Sequence, residues 1–342
     1  MKATNLTLPT PAAKAGRQSR RPSAAAGRFL LLPLLLLCAL AAQAQRLTVV
    51  TSNVENLLDT EANFQTKLDL TAQALADWEA DIYALQEVQP SATTLSRLLQ
   101  ALNARSTDNY AAVTGVNRSS WYHQSVFLYK TGRVRPVGAT TSPYGNNSLY
   151  SARLRVQTFR DLANGEEFVL SNNHFKSFNE EKTLENAELL VNLLADADDP
   201  DILIVGDLNA ELEHDPCQRI LQAGYIEEVE RRHPQGYSYY YKGRYEYIDH
   251  CFASPSLSAL VEDARPLNVN VGSRPQYGYS DHDPLLITFD LLAGADAIHA
   301  PQAQPQEEAE AQWFALQGHR VQPRRGLLLR RTRQGVRKVV VP

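Results

Sequence analysis

A chain of 342 residues with 44% hydrophobic content supports a real core and holds one large α/β domain or two small ones. Its charge is partitioned: residues 1–44 carry six Lys and Arg with no acid and residues 319–342 carry eight with no acid, leaving 20 basic against 38 acidic residues, a formal −18, for 45–318. So acidic a centre lacks the basic footprint of tight nonspecific nucleic-acid binding, although a divalent cation that neutralises a cleft locally keeps a nuclease open.

The first 44 residues read as a signal peptide. Arg17, Arg20, Arg21 and Arg28 precede the apolar run Phe29 to Leu40, and Ala42, Gln43 and Ala44 supply a small-x-small cleavage site. The run is short for a membrane span of about 20 residues, and three leucines before Cys38 do not suit lipidation. The expected location is secreted, periplasmic or at the cell surface. Past the cleavage site remain Cys217 and Cys251, which can pair or stay as buried thiols.

RLTVVTSN, 46–53, predicts a strand ending in Asn53 and opening into a polar loop. Near-helical spacing over 64–79 follows, then DIYALQE, 81–87, an apolar strand that ends in Gln86 and Glu87. After a helix over 91–103, YAAVTGV and SVFLYK are strands around a polar loop containing Trp121, Tyr122 and His123. Residues 151–158 and 166–173 form a hairpin turned at Asn164-Gly165, whose second strand ends at His174. A helix over 180–196 delivers DILIVGDLNAE, 201–211. There Ile202 to Val205 read as a buried strand closed by Gly206, with Asp207 and Asn209 pointing the same way if the extended backbone persists. An Asx turn capping the next helix is the plainer reading of GDLN. Beyond a helix near 216–223 and a tyrosine-rich stretch, 237–247, comes the strand YIDHCF, in which Asp249 and His250 face opposite ways, so only one can share a pocket. Ser280, Asp281 and His282 precede a final strand, Leu285 to Phe289. Strands alternating with helices, with hairpins between, indicate a mixed-sheet α/β domain over 45–292. Residues 293–312, rich in Ala, Gln and Glu, read as a linker, and 313–342 as a basic C-terminal tail.

The polar endings share one character. Asn53, Glu87, His174, Asp207, Asn209, Asp249, Asp281 and His282 all sit at strand ends or in adjacent turns. Two imidazoles among many oxygens are too few nitrogens and thiols for a structural zinc cage; the set suits a hard cation, Mg²⁺ or Mn²⁺. With a phosphate ester as substrate, such a set favours hydrolysis.

In this order SNVENLLD, DIYALQEV, NNHFKS, GDLNAE, YIDHCFAS and SDHDPL resemble the endonuclease/exonuclease/phosphatase superfamily, especially its secreted bacterial nuclease-like members, over about 46–290. The resemblance implies a four-layer α/β/β/α sandwich of the deoxyribonuclease type with the site at one end of the paired sheets. It implies Glu87 as the main metal ligand with Asn53 beside it, and Asp281 completing the metal or histidine shell. His282 becomes the general base oriented by Asp249, His174 the electrostatic partner of the scissile phosphate, and Asp207 with Asn209 the groups that align water or phosphoryl. Arg153 matches a position where relatives place a phosphate-contacting arginine, and His250 is then structural. In one respect the chain departs: pancreatic-type deoxyribonucleases carry a Glu before the SVFLYK-like strand, paired with the histidine equivalent to His174, and here His123 and Gln124 stand there. The tail segments ALQGHRV, GLLLRRT and VRKVVV resemble C-terminal sorting signals of a type IX export route, which makes secretion machinery a partner.

The expected activity is a secreted, divalent-metal-dependent phosphodiesterase acting on nucleic acid. Its rivals are a phosphatase or a lipid or small-molecule phosphodiesterase, which the acidic centre favours, and a non-catalytic binding protein on the same scaffold.

Overall fold

A computed structural model describes residues 46–113, 123–145, 153–234, 236–272 and 274–291, together with the strands of the C-terminal segment. Residues 1–44 and most of 293–312, where a signal peptide and a linker are expected, lie outside the described residues, as do Trp121 and Tyr122.

In chain order the elements are β1 (Leu47–Leu57), α1 (Phe64–Trp78), β2 (Ile82–Val88), α2 (Ala92–Asn103), β3 (Tyr110–Ala112), β4 (Gln124–Lys130), β5 (Val134–Thr141), β6 (Leu154–Asp161), β7 (Glu167–His174) and α3 (Glu180–Ala195). There follow β8 (Ile202–Asp207), α4 (Asp215–Gln222), β9 (Ile226–Glu227), α5 (Glu228–Arg232), β10 (Tyr239–Tyr241), β11 (Arg244–Glu246), β12 (Asp249–Ala253), α6 (Pro255–Ser258), β13 (Val261–Pro266) and β14 (Leu285–Phe289). Two six-stranded mixed sheets result, ordered β13-β14-β1-β2-β4-β3 and β5-β6-β7-β8-β12-β9.

Strand periodicity explains the layering. Alternate residues of β1 and β2, Val49, Ile82 and Ala84, meet Leu170, Leu203 and Val205 of the other sheet in one buried core between the sheets. The intervening residues Val50, Tyr83 and Leu85 pack outward against Leu68 and Leu75 of α1 and Leu98 and Leu102 of α2. On the opposite side Val169 and Ile204 meet Ala187, Leu190 and Leu194 of α3 and Ile220 of α4. This is the expected α/β/β/α sandwich. Asn179 starts α3 by accepting from the Lys182 amide at 3.0 Å, with Glu180 and Glu181 in the first turn complementing the helix dipole.

Two expectations are adjusted. β1 does not stop at Asn53 but continues to Leu57 through a register shift against β2, so Asn53 lies inside a strand, held on both sides. The hairpin strands begin later than the pattern suggests, which leaves Arg153 in the turn before β6. In the basic C-terminal tail β15 (Gln312–Phe314), β16 (Arg320–Val321), β17 (Gly326–Thr332) and β18 (Gly335–Val341) pair antiparallel in the order β16-β15-β17-β18. Cys217 and Cys251 are free and buried.

Candidate active site

The site is built from rows of residues in register. In the second sheet His174 of β7 pairs with Asp207 of β8, and Asp207 pairs with Asp249 of β12, so three ionisable side chains stand abreast on adjacent strands. Gly206 makes this row feasible. A Cβ there would come within 2.0 Å of the Asn173 carbonyl oxygen, and its φ of +125° is one that other residues rarely adopt. In the first sheet Asn53 pairs with Gln86, and Glu87 follows with φ of +62°, a turn of the backbone that swings its carboxylate across the sheet end.

Asn53 joins the two sheets. Its Nδ2 donates to Glu87 Oε1 at 3.2 Å and to Asp207 Oδ2 at 3.0 Å, while its Oδ1 accepts from the Glu55 amide at 2.9 Å. Below it Gln86 donates to Asn172 Oδ1 at 2.8 Å, and Asn172 donates to the carbonyls of Leu85 and Val126, forming a polar tie through an otherwise apolar core. Such buried tethers restrict sliding of one sheet over the other, because each displaced amide would be left unsatisfied.

His282 enters from the β14 side. The Ser280 hydroxyl donates to the Asn53 carbonyl at 2.7 Å and accepts from the His282 amide at 3.1 Å, and Asn270 Nδ2 donates to the His282 carbonyl at 2.8 Å. Asp283 Oδ1 anchors the 269–271 loop by accepting three of its amides. The imidazole lies with Nδ1 2.7 Å from Asp249 Oδ2 and Nε2 3.9 Å from both Asp207 Oδ2 and Asp281 Oδ1. Nδ1 therefore carries the proton shared with Asp249, and Nε2 faces the cleft. The Tyr239 ring stacks on it at 4.4 Å.

Electrostatics separates the two histidines. Burial works against a charged His282, but Asp249 and Asp207 outweigh it and raise its pKa to about 10. Burial pushes His174 down to about 3, against the pull of Glu87, and the Arg153 charge lowers it further. His123 is lowered as well, chiefly by burial. The Asp207 carboxyl is raised, first by burial and then by Asp249, with His282 opposing. Burial raises Glu87, but His174, His123 and its Asn53 and Asn56 donors bring it below its ordinary value. Asp281, about 45% exposed, is raised by burial and then by the like charges of Glu55 and Glu87, with His282 opposing. Carboxylates that repel one another across an oxygen-rich hollow fit a divalent cation, which relieves that repulsion. Glu87 and Asp281 would hold it, with Asn53 fixing Glu87.

Most expected site residues converge: Asn53, Glu87, His174, Asp207, Asp249, Asp281 and His282 form one cluster. Asp249 faces it, while His250 on the opposite face bonds the Ala210 carbonyl at 2.8 Å and stays structural. Asn209 is the partial exception. The backbone does not stay extended but turns, with φ of +49° at Asn209. Its amide N–H donates to Asp207 Oδ1 at 2.9 Å in an Asx turn, and its side chain donates to the Phe175 carbonyl at 3.1 Å. Asn209 instead borders a cavity of about 540 Å³ shared with Glu180, Glu181, Glu213 and His214. Arg153 reaches the site by its charge, which is felt at His123 and His174.

Sequence reading assigned no role to Ser280, Gln86, Asn172 or Tyr239. The first three lie inside the motifs SDHDPL, DIYALQEV and NNHFKS, so adjacency was the available signal. Nothing but the pairing of Tyr239 with His282 reveals the fourth.

Comparison with known proteins agrees with this geometry. The model of the endonuclease/exonuclease/phosphatase family matches residues 50–282. No curated protein is significantly similar in sequence. Among solved structures, an endonuclease/exonuclease/phosphatase from Bacteroides vulgatus is 20% identical, covering 72% of this chain and 99% of its own, with a TM-score of 0.58. A mannosyl-6-phosphatase from Bacteroides thetaiotaomicron is 19% identical over 70% of this chain and 98% of its own, with a TM-score of 0.54. D. rerio TDP2 complexed with a single-strand DNA product is 16% identical over 72% of this chain and 99% of its own, with a TM-score of 0.56. These likenesses establish the fold.

Proposed function

Because the chain belongs to the endonuclease/exonuclease/phosphatase family of phosphoester hydrolases, we propose that it is a secreted, divalent-metal-dependent phosphodiesterase that cleaves nucleic acid with a water activated by His282. The observation that carries the reading is the His282–Asp249 pair at 2.7 Å with Nε2 facing the carboxylates of Asp207 and Asp281 at 3.9 Å. Asp249 fixes the tautomer, Nε2 takes the proton of the attacking water, and neutral His174 donates a hydrogen bond to a phosphoryl oxygen. Asp207, held by Asn53 and by the Asn209 amide, orients the water between them. Glu87 and Asp281 would hold the cation, Mg²⁺ or Mn²⁺, whose charge would neutralise the phosphoryl oxygens.

Preference for nucleic acid is supported by an aromatic run leading out of the hollow. Tyr239, stacked on His282, is followed by Tyr241 at 6.0 Å with rings inclined by 16°, and then by Phe178 at 6.4 Å from Tyr241 and 93% exposed. Stacking of bases on such a run supplies binding energy that does not come from charge, about 1–3 kcal/mol per base. The formal −18 of residues 45–318 supports the second reading, a phosphatase or a small-molecule or lipid phosphodiesterase. Export rests on the arginine-led apolar N-terminus, and engagement of a secretion machinery on the tail motifs.

Purified protein with Mg²⁺ or Mn²⁺ is to be assayed on single-stranded and plasmid DNA, RNA, bis-p-nitrophenyl phosphate and p-nitrophenyl phosphate. Hydrolysis of the diesters and not of the monoester is expected. Monoester hydrolysis alone selects the phosphatase, and inactivity on all five with both metals leaves a binding scaffold.

A further inference from the structure

His123 stands where the resemblance leads one to expect a carboxylate, and its surroundings give it a use. His123 Nε2 lies 3.7 Å from Glu87 Oε2, and His174 Nε2 lies 3.6 Å from Glu87 Oε1. These separations exceed hydrogen-bonding distance, yet two donors each about 2.1 Å from one metal at a tetrahedral angle are roughly 3.4 Å apart. The carboxylate and both imidazoles offer ligand atoms all within 4.8 Å of one another. His174 is 5% exposed, and its Nε2 faces the carboxylates of Glu87 and Asp207 at 3.6 and 3.8 Å, beyond hydrogen-bonding distance. A buried imidazole in that state is costly unless something binds it.

We infer that Glu87, His123 and His174 form a mixed nitrogen–oxygen site for a divalent transition-metal ion of the Mn²⁺, Co²⁺ or Zn²⁺ class. Asn56 Oδ1, 2.5 Å from His123 Nε2, is the hydrogen-bond partner that would yield this nitrogen to the ion. An all-oxygen site would favour Mg²⁺; two imidazoles shift the preference to borderline-soft ions that follow the Irving–Williams order. In the catalytic picture this deepens the proposed metal-dependent hydrolase and rests on it, because an ion at Glu87 would then draw His174 from hydrogen-bond donor to ligand.

The test uses metal-stripped protein titrated with Co²⁺ and with Mg²⁺, followed by calorimetry and by the visible absorption of cobalt. Co²⁺ is expected to bind more tightly than Mg²⁺ with an absorption band characteristic of nitrogen coordination. His123→Ala is expected to weaken Co²⁺ about tenfold or more and leave Mg²⁺ affinity unchanged. His123→Asn, which keeps a polar group at this partly exposed position, guards against loss through misfolding, with the thermal midpoint recorded for both variants. Unchanged Co²⁺ affinity and spectrum in folded His123→Ala overturns the site. Phosphodiester hydrolysis is measured separately: cobalt binding that depends on His123 without hydrolysis upholds the site and removes the hydrolase reading, whereas Mg²⁺-supported hydrolysis with Co²⁺ affinity indifferent to His123 does the reverse.

Discussion

Asp207 and Asp249 are register partners across the antiparallel β8–β12 pair, and the single imidazole of His282 sits between them, bonded to one at 2.7 Å and facing the other at 3.9 Å. Two carboxylates on one ring favour its protonated form, so its pKa is raised from 6.5 to about 10. The sign follows: a base held protonated is inactive at low pH and recovers as pH rises. The activity of the metal-loaded protein is therefore expected to climb on an alkaline limb between those two values, a bound cation drawing it toward the lower. Asp249→Asn removes the nearer charge, so the limb should move to lower pH by about one unit or more, while the maximum falls by about 10²- to 10⁴-fold as the tautomer is lost. Profiles of kcat/KM against pH for the two proteins decide it; a limb that stays put would detach Asp249 from His282.

His282→Ala should lower turnover of a diester by about 10²- to 10⁴-fold. Retention of more than about a tenth of the rate removes His282 from the base role. Buried Asp249 also loses its partner, so a cost of about 1–3 kcal/mol in urea unfolding is expected alongside.

How legible all this was depends on the range of the physics involved. Apolar runs such as Ile202 to Val205 that end in a carboxylate mark strands and their functional rims, because burial and periodicity act locally. By contrast β5, with exposed or half-buried residues through Arg135 to Ala139 and a Pro and a Gly inside it, offers no alternation to read. In β13 Glu262, Asp263 and Arg265 conceal the buried Val261 and Ala264. The extension of β1 past Asn53 follows from a bulge against β2, and the meeting of Ser280 with Asn53 joins residues 227 apart, neither of which a local pattern encodes. Asn209 was expected to share the direction of Asp207; the Asx turn, which a short-range rule also allows, took precedence over strand continuation.

Gly206→Ala tests whether the close approach of β7 and β8 is needed. The added carbon would fall 2.0 Å from a backbone oxygen that has no rotamer to escape by, at a φ costly for alanine. A loss of about 3 kcal/mol or more is expected, read as a lower urea midpoint with unchanged m. Wild-type stability would mean that the strands part there readily.

Glu87→Gln keeps the shape and an acceptor for the Asn53 and Asn56 donors but removes the charge that Asp281 opposes. Mg²⁺ and Mn²⁺ should bind about 10- to 100-fold more weakly, and the rise in thermal midpoint that either ion gives the wild type by mass action should largely disappear. Calorimetric titration and a melting curve at fixed metal concentration check both. Equal affinity in the variant would place the cation away from Glu87.

The aromatic run makes the sharpest demand on substrate. Phe178 and Tyr241 lie outward from the Tyr239–His282 stack and take no part in proton transfer, so replacing either by Ala should leave kcat nearly unchanged. If bases stack there, each is worth about 1–3 kcal/mol, and KM for a single-stranded oligonucleotide should rise by about 5- to 150-fold. The same variants should hydrolyse bis-p-nitrophenyl phosphate, which is too short to span the run, with unaltered KM. A nucleic acid bound equally well by the doubly substituted protein would show that the rings serve the fold, and would tip the balance toward a compact phosphate ester held inside the carboxylate hollow.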